Sequence, residues 1–82
     1  MKTLIVERTF DEPLTDEALA AVQERMGPCL EEYDVRWVQS YFSSDRKRMI
    51  CHYEAADAEA VRASNRAAEA GFETVWSAEI LS

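Results

Sequence analysis

The sequence predicts an α+β domain in which four strands and two helices follow the order βαββαβ. Three observations carry that prediction. The stretch from Val35 to Ala55 reads VRWVQSYF, SSDRK, RMICHYEA. Two runs rich in β-branched and aromatic residues flank a short polar turn, which is the pattern of a β-hairpin. An amphipathic helical pattern precedes the hairpin and an alanine-rich one follows it. Short apolar segments near each end of the chain supply a first and a last strand.

Eighty-two residues suit one small domain spanning 1–82. A hydrophobic content of 48% with 30% charged residues excludes a disordered chain. Nine basic and sixteen acidic residues leave a net charge of −7. That balance argues against nucleic acid and against anionic membranes as partners. No apolar run approaches the roughly 20 residues needed to span a bilayer. The apolar part of MKTLIVERTF is too short for a signal peptide, so a cytoplasmic protein is expected. So small a core is readily extended by pairing two copies, and a homodimer is expected. Cys29 and Cys51 are far apart and lack CxxC spacing, which suggests two structural thiols.

Thr3 to Phe10 forms the first strand. Leu4, Val6, Arg8 and Phe10 share one side of it; Ile5, Glu7 and Thr9 share the other. A carboxylate in mid-strand marks its side as something other than ordinary core. Asp11-Glu12-Pro13 ends the strand. Thr15 is a good N-cap, with Asp16 and Glu17 favourably placed in the first helical turn. Leu19, Val22, Met26, Leu30 and Tyr33 recur at helical spacing. Gly27-Pro28 predicts a kink or break near Met26, because proline removes a backbone donor.

In the hairpin, a loop centred on Asp45-Arg46 puts Val38, Ser40 and Phe42 on one face with Met49, Cys51 and Tyr53. The other face then carries Val35, Trp37, Gln39 and Tyr41 against Ile50, His52 and Glu54. Asp57 caps a second helix from Ala58 to Ala70, whose alanines form a thin face. Gly71 is the expected left-handed C-cap. Thr74 to Leu81 reads as the last strand. This order is that of the ferredoxin-like split βαβ fold, with sheet order 4-1-3-2 and both helices on one side.

The other side of such a sheet is solvated or meets a partner. Parity assigns it Glu7, Trp37, Gln39, Tyr41, His52 and Glu54; Glu79 joins them if Trp76, Ala78 and Ile80 face the helices. Three uses suit that mixture: a dimer interface anchored by Trp37 and Tyr41, a ligand or metal cavity, or a solvated face. Glu7 and His52 are the candidate metal ligands, since imidazole and carboxylate suit divalent transition metals. Trp37, Gln39, Tyr41 and Glu54 are the candidate ligand-binding residues. The preferred reading is a small dimeric binding protein for nickel or another divalent ion. The alternative is a cofactor-free enzyme acting on a small organic molecule, with His52 and Glu7 as acid and base. No nucleophile elbow, phosphate loop or EF-hand is present.

Three pieces carry a family resemblance: VERTF (Val6–Phe10), RWVQSY (Arg36–Tyr41), and ICHYEAADAEAVR (Ile50–Arg62) followed by AGF (Ala70–Phe72). Within them, Trp37-x-x-Ser40-Tyr41 and Cys51-x-Tyr53-x-Ala55 form a pattern that no fold rule demands. The chain resembles a family of small bacterial proteins, mostly of unknown function, whose named member is a nickel-binding protein with a dimeric ferredoxin-like fold. The resemblance implies that fold, a homodimer and nickel as a candidate ligand. The chain departs from the family pattern in one region. Nickel-binding relatives tend to carry a histidine near the end of the second helix, where Ser64, Asn65 and Arg66 stand here. His52 is the sole imidazole, so no ligand is carried over by position.

Overall fold

A computed structural model describes all residues, Met1–Ser82. The elements are β1 (Lys2–Thr9), α1 (Asp16–Glu32), β2 (Arg36–Phe42), β3 (Arg48–Ala55), α2 (Ala58–Ala67) and β4 (Thr74–Ala78). The strands form one antiparallel sheet in the order β2-β3-β1-β4, the predicted ferredoxin-like arrangement. Leu4, Val6, Tyr53 and Ala55 in the central strands pack with Val61 of α2 in the core. The thin face of α2 buries Val61, Ser64 and Asn65. Small side chains there let the helix lie low on the sheet.

Both N-caps are those expected. Thr15 Oγ1 accepts from the Ala18 amide at 3.1 Å and Asp57 Oδ1 from that of Ala60 at 2.8 Å. Each satisfies an amide that the first helical turn leaves without a partner. The C-terminal end of α2 differs from expectation. The left-handed residue after α2 is Glu69 (φ 55°), and Gly71 has no positive φ. The Ala70 amide bonds Asn65 O at 2.9 Å and the Glu69 amide bonds Arg66 O at 3.0 Å, a Schellman closure. The end of α1 repeats it: Asp34 has φ 55°, and the Val35 amide bonds Leu30 O at 2.8 Å. Backbone closure thus overrides the preference for glycine at both sites.

The break expected at Gly27-Pro28 is absent, and α1 runs unbroken through Pro28. Pro28 is exposed. On the solvent side, water can satisfy the carbonyl that loses its amide partner, so the helix loses one bond without burying an orphan. The last strand is shorter than expected, ending at Ala78 rather than Leu81.

The hairpin turn is tied to the segment that joins β1 to α1. Arg46 (φ 63°) donates through Nε to Leu14 O at 2.6 Å and through Nη2 to Asp16 at 2.7 Å. Its guanidinium also lies 4.7 Å from the Phe42 ring centre, within cation–π range. From Phe42 to Gln39 the β2–β3 register follows the predicted parity. Between Gln39 and Trp37 it shifts, and Trp37 pairs with Tyr53 while Gln39 pairs with His52. Val38 is the extra residue of a β-bulge.

Candidate functional site

The register places Thr3, Ile5 and Glu7 beside Glu54, His52 and Ile50 on the side away from the helices. β2 contributes Arg36, Gln39 and Tyr41, and β4 contributes Thr74, Trp76 and Ala78. Glu7, Gln39, Tyr41, His52 and Glu54 therefore share the open face, as their sequence parity requires. Trp37 does not. The Val38 bulge absorbs one residue, so Trp37 and Val35 turn to the helix side, where Val35 is buried. Trp37 Nε1 there donates to Ser40 Oγ at 2.9 Å. Val38, expected in the core, is exposed. The opposite exchange occurs in β4. Val75 pairs with Val6 and is buried, so Trp76 and Ala78 face outward with Ile5 and Thr3. The strand parity that would have brought Glu79 onto this face is thus reversed; Glu79 lies beyond the strand end and lines the concavity at His52 from there.

Most polar groups of the open face are already engaged. Glu7 Oε2 accepts from Thr74 Oγ1 at 3.1 Å and from Trp76 Nε1 at 2.9 Å. Gln39 Nε2 donates to the Tyr41 hydroxyl at 2.7 Å. Arg36 and Glu54 pair at 3.2 Å. His52 is the exception. Its Nε2 is closed off from solvent and has no hydrogen-bond partner. It lines a concavity of about 570 Å³ together with Ile5, Trp76 and the segment Ser77 to Leu81. An imidazole nitrogen buried in this way lacks an interaction that such groups normally make.

Glu7 and His52 are diagonal, not opposite, neighbours: His52 faces Ile5, and Glu7 faces Ile50. With Glu7 turned toward β4, the two are not assembled as an acid–base pair. Nor do three His, Cys, Asp or Glu side chains of one protomer converge. Transition-metal sites commonly use three or four such donors. One protomer alone therefore does not fit a tightly held transition metal.

The helix side holds a group whose role sequence parity did not reveal. Arg8 follows Leu4 and Val6 in alternation and is only 6% exposed. It donates from Nη1 to Gly71 O at 3.0 Å and from Nη2 to the Tyr53 hydroxyl at 3.1 Å. None of the ion pairs in the molecule includes it. Burial, reinforced by the neighbouring Cys51 thiol and opposed by Arg8, pushes Tyr53 up to about 12. Arg8 and Tyr53 form part of the floor of a second cavity of about 570 Å³ between α1 and the sheet. The sign available in the sequence was a cation at a core position of the first strand, with no acidic residue sharing its face.

The two free cysteines form no disulfide; Cys51 is buried and Cys29 partly so. No helix is long and apolar enough to cross a membrane.

Comparison with known proteins agrees with the resemblance read from the hairpin and the strands around it. The chain is similar in structure to SCO4226 from Streptomyces coelicolor A3(2), whose crystal structure matches with a TM-score of 0.85. The match covers 98% of this chain and 99% of that one at 14% identity, and it shows the shared fold. No curated protein matches the chain. The family described as nickel responsive protein SCO4226-like matches residues 4–77. The chain belongs to that nickel-responsive SCO4226-like family.

Proposed function

We propose that this protein is a cytoplasmic homodimer whose open sheet faces meet, and that it binds nickel or a similar divalent ion in a site completed by both copies. The observation that carries the reading is the sealed, unpartnered His52 Nε2. A borderline-soft ion such as Ni²⁺ takes imidazole nitrogen together with carboxylate oxygen. One copy offers a single imidazole and no converging cluster; pairing the faces doubles the donors near the axis. The description of the family as nickel responsive supports the choice of ion. Exposed Tyr41, Ile50 and Trp76 on the same face support the pairing, since aromatic anchors are enriched in interface centres. Two cysteines left as thiols suit a reducing compartment.

The test is calorimetric titration of the metal-free protein with Ni²⁺, Zn²⁺ and Co²⁺, with light scattering to give the mass. The expected result is a dimer that binds Ni²⁺, with affinity reduced about tenfold or more in His52→Ala. Unchanged affinity in His52→Ala would remove His52 from the site. Full binding by a monomer would overturn the shared-site reading.

A further inference from the structure

The cavity between α1 and the sheet lies on the opposite side of the sheet from His52. Its walls are apolar: Leu19, Val22, Met26 and Leu30 from α1 face Phe42 and Met49 of the sheet. Its floor contains Arg8, a fully charged side chain more than nine-tenths buried and without a carboxylate partner. Arginine stays protonated in proteins and carries five N–H donors. Gly71 O and the Tyr53 hydroxyl engage Nη1 and Nη2. Tyr53 accepts that bond, so its own O–H remains a donor. The floor is thus rich in donors and positive, in a molecule of net charge −7. A buried cation without a counter-ion is expensive, and an anion entering the cleft relieves that cost.

We propose that this cleft binds a small organic monoanion, a carboxylate on an apolar body, with Arg8 and Tyr53 as its donors and Trp37 at its edge. Arginine and carboxylate match in geometry as well as charge. The cavity volume falls within the roughly 300–1,000 Å³ of small-molecule sites. Trp37 lines the cavity and is 51% exposed, so it reports on occupancy. Pairing of the open faces leaves the cleft uncovered, and the inference does not depend on the metal site.

The test uses a Trp76→Phe background, in which Trp37 is the only indole. Benzoate, naphthalene-2-carboxylate and octanoate are titrated against Trp37 fluorescence, each beside its neutral amide. The expected result is saturable quenching by at least one carboxylate, bound about tenfold or more tightly than its amide. Arg8→Gln weakens that binding by about tenfold or more, and Tyr53→Phe by several-fold. Val22→Phe fills the cavity from the helix wall and abolishes binding without touching either donor or adding an indole. Circular dichroism checks the folding of each variant. If Arg8→Gln fails to fold, Tyr53→Phe and Val22→Phe decide. Equal affinity for acid and amide, undiminished binding in Val22→Phe, or no binding of any of the three acids at about 10 mM overturns the proposal.

Discussion

The two tryptophans mark opposite sides of one sheet, and the sides are built on different terms. Trp76 stands on the open side, where its indole N–H is held by Glu7 and most polar groups find a partner within the face. Trp37 stands at the edge of the helix-side cleft, above a buried arginine that no carboxylate balances. The open side presents apolar rings among satisfied polar groups, as a surface meeting another protein does. The helix side presents a hydrogen-bonded cation without a counter-ion in an apolar cavity, the setting proposed above for a small anion. Function need not be confined to the side that a fold leaves uncovered.

Replacements on either side of β1 should separate the two roles most strongly. Leu4 is fully buried toward α2, and Leu4→Ala should cost about 2–5 kcal/mol in urea unfolding, whatever the protein concentration. Ile5 lies on the open face. Ile5→Ala should cost about 1 kcal/mol in dilute protein; if the open faces pair as proposed, the cost should grow with concentration. Equal, concentration-independent losses would break the distinction.

The cleft floor has its own signature in alkali. The Tyr53 hydroxyl is raised from 10.0 to about 12 by burial. Below pH 10 both states keep the proton. Between pH 10 and 12 the unfolded chain releases it first and so binds fewer protons than the native state. Stability therefore falls as pH rises through that window, by about 2–3 kcal/mol in all. Tyr53→Phe should remove this contribution, and urea midpoints measured from pH 9 to 12 check it.

Deleting Val38 tests whether the bulge alone divides the two sides. Arg36, Trp37 and Gln39 then alternate without the extra residue. Trp37 should keep its side and its emission, with stability changed by about 1 kcal/mol or less. A shift of the Trp37 emission toward that of a fully exposed indole would show that the bulge does more than absorb a residue. The smallest effect concerns the end of α2. Glu69 holds φ 55° near a helix C-terminus, where both conformation and charge oppose it. Glu69→Gly should raise the thermal midpoint, corresponding to about 0.5–1 kcal/mol.

Element order and both N-caps were legible because each has a local signal: hydrophobic period, capping side chain, turn composition; the sheet order followed from the element order. So was the placing of Gln39, Tyr41, His52 and Glu54, which lie on the turn side of the bulge or on the unbroken strand β3. Trp37 was not legible, because a bulge inserts one residue without a compositional marker and reverses every side chain beyond it. The side of β4 was illegible for another reason. Val75 and Ser77 are no more apolar than Trp76 and Ala78, so alternation alone has no sign there. Register with β1, including the Glu73 amide on Glu7 O at 2.7 Å, decides it. Arg8 was correctly faced by parity, but its isolation depends on where every carboxylate of the fold ends up.

The bulge at Val38 has a further consequence for how copies of this chain behave at high concentration. β2 is an outer strand of the sheet, and an outer strand exposes a row of unused amides and carbonyls that can recruit another chain edge to edge. Val38 breaks the spacing of that row midway. A strand added there would pair for only three or four residues before losing step. The opposite edge, β4, has five residues. Runaway edge-to-edge stacking into fibrils is thereby disfavoured at both margins.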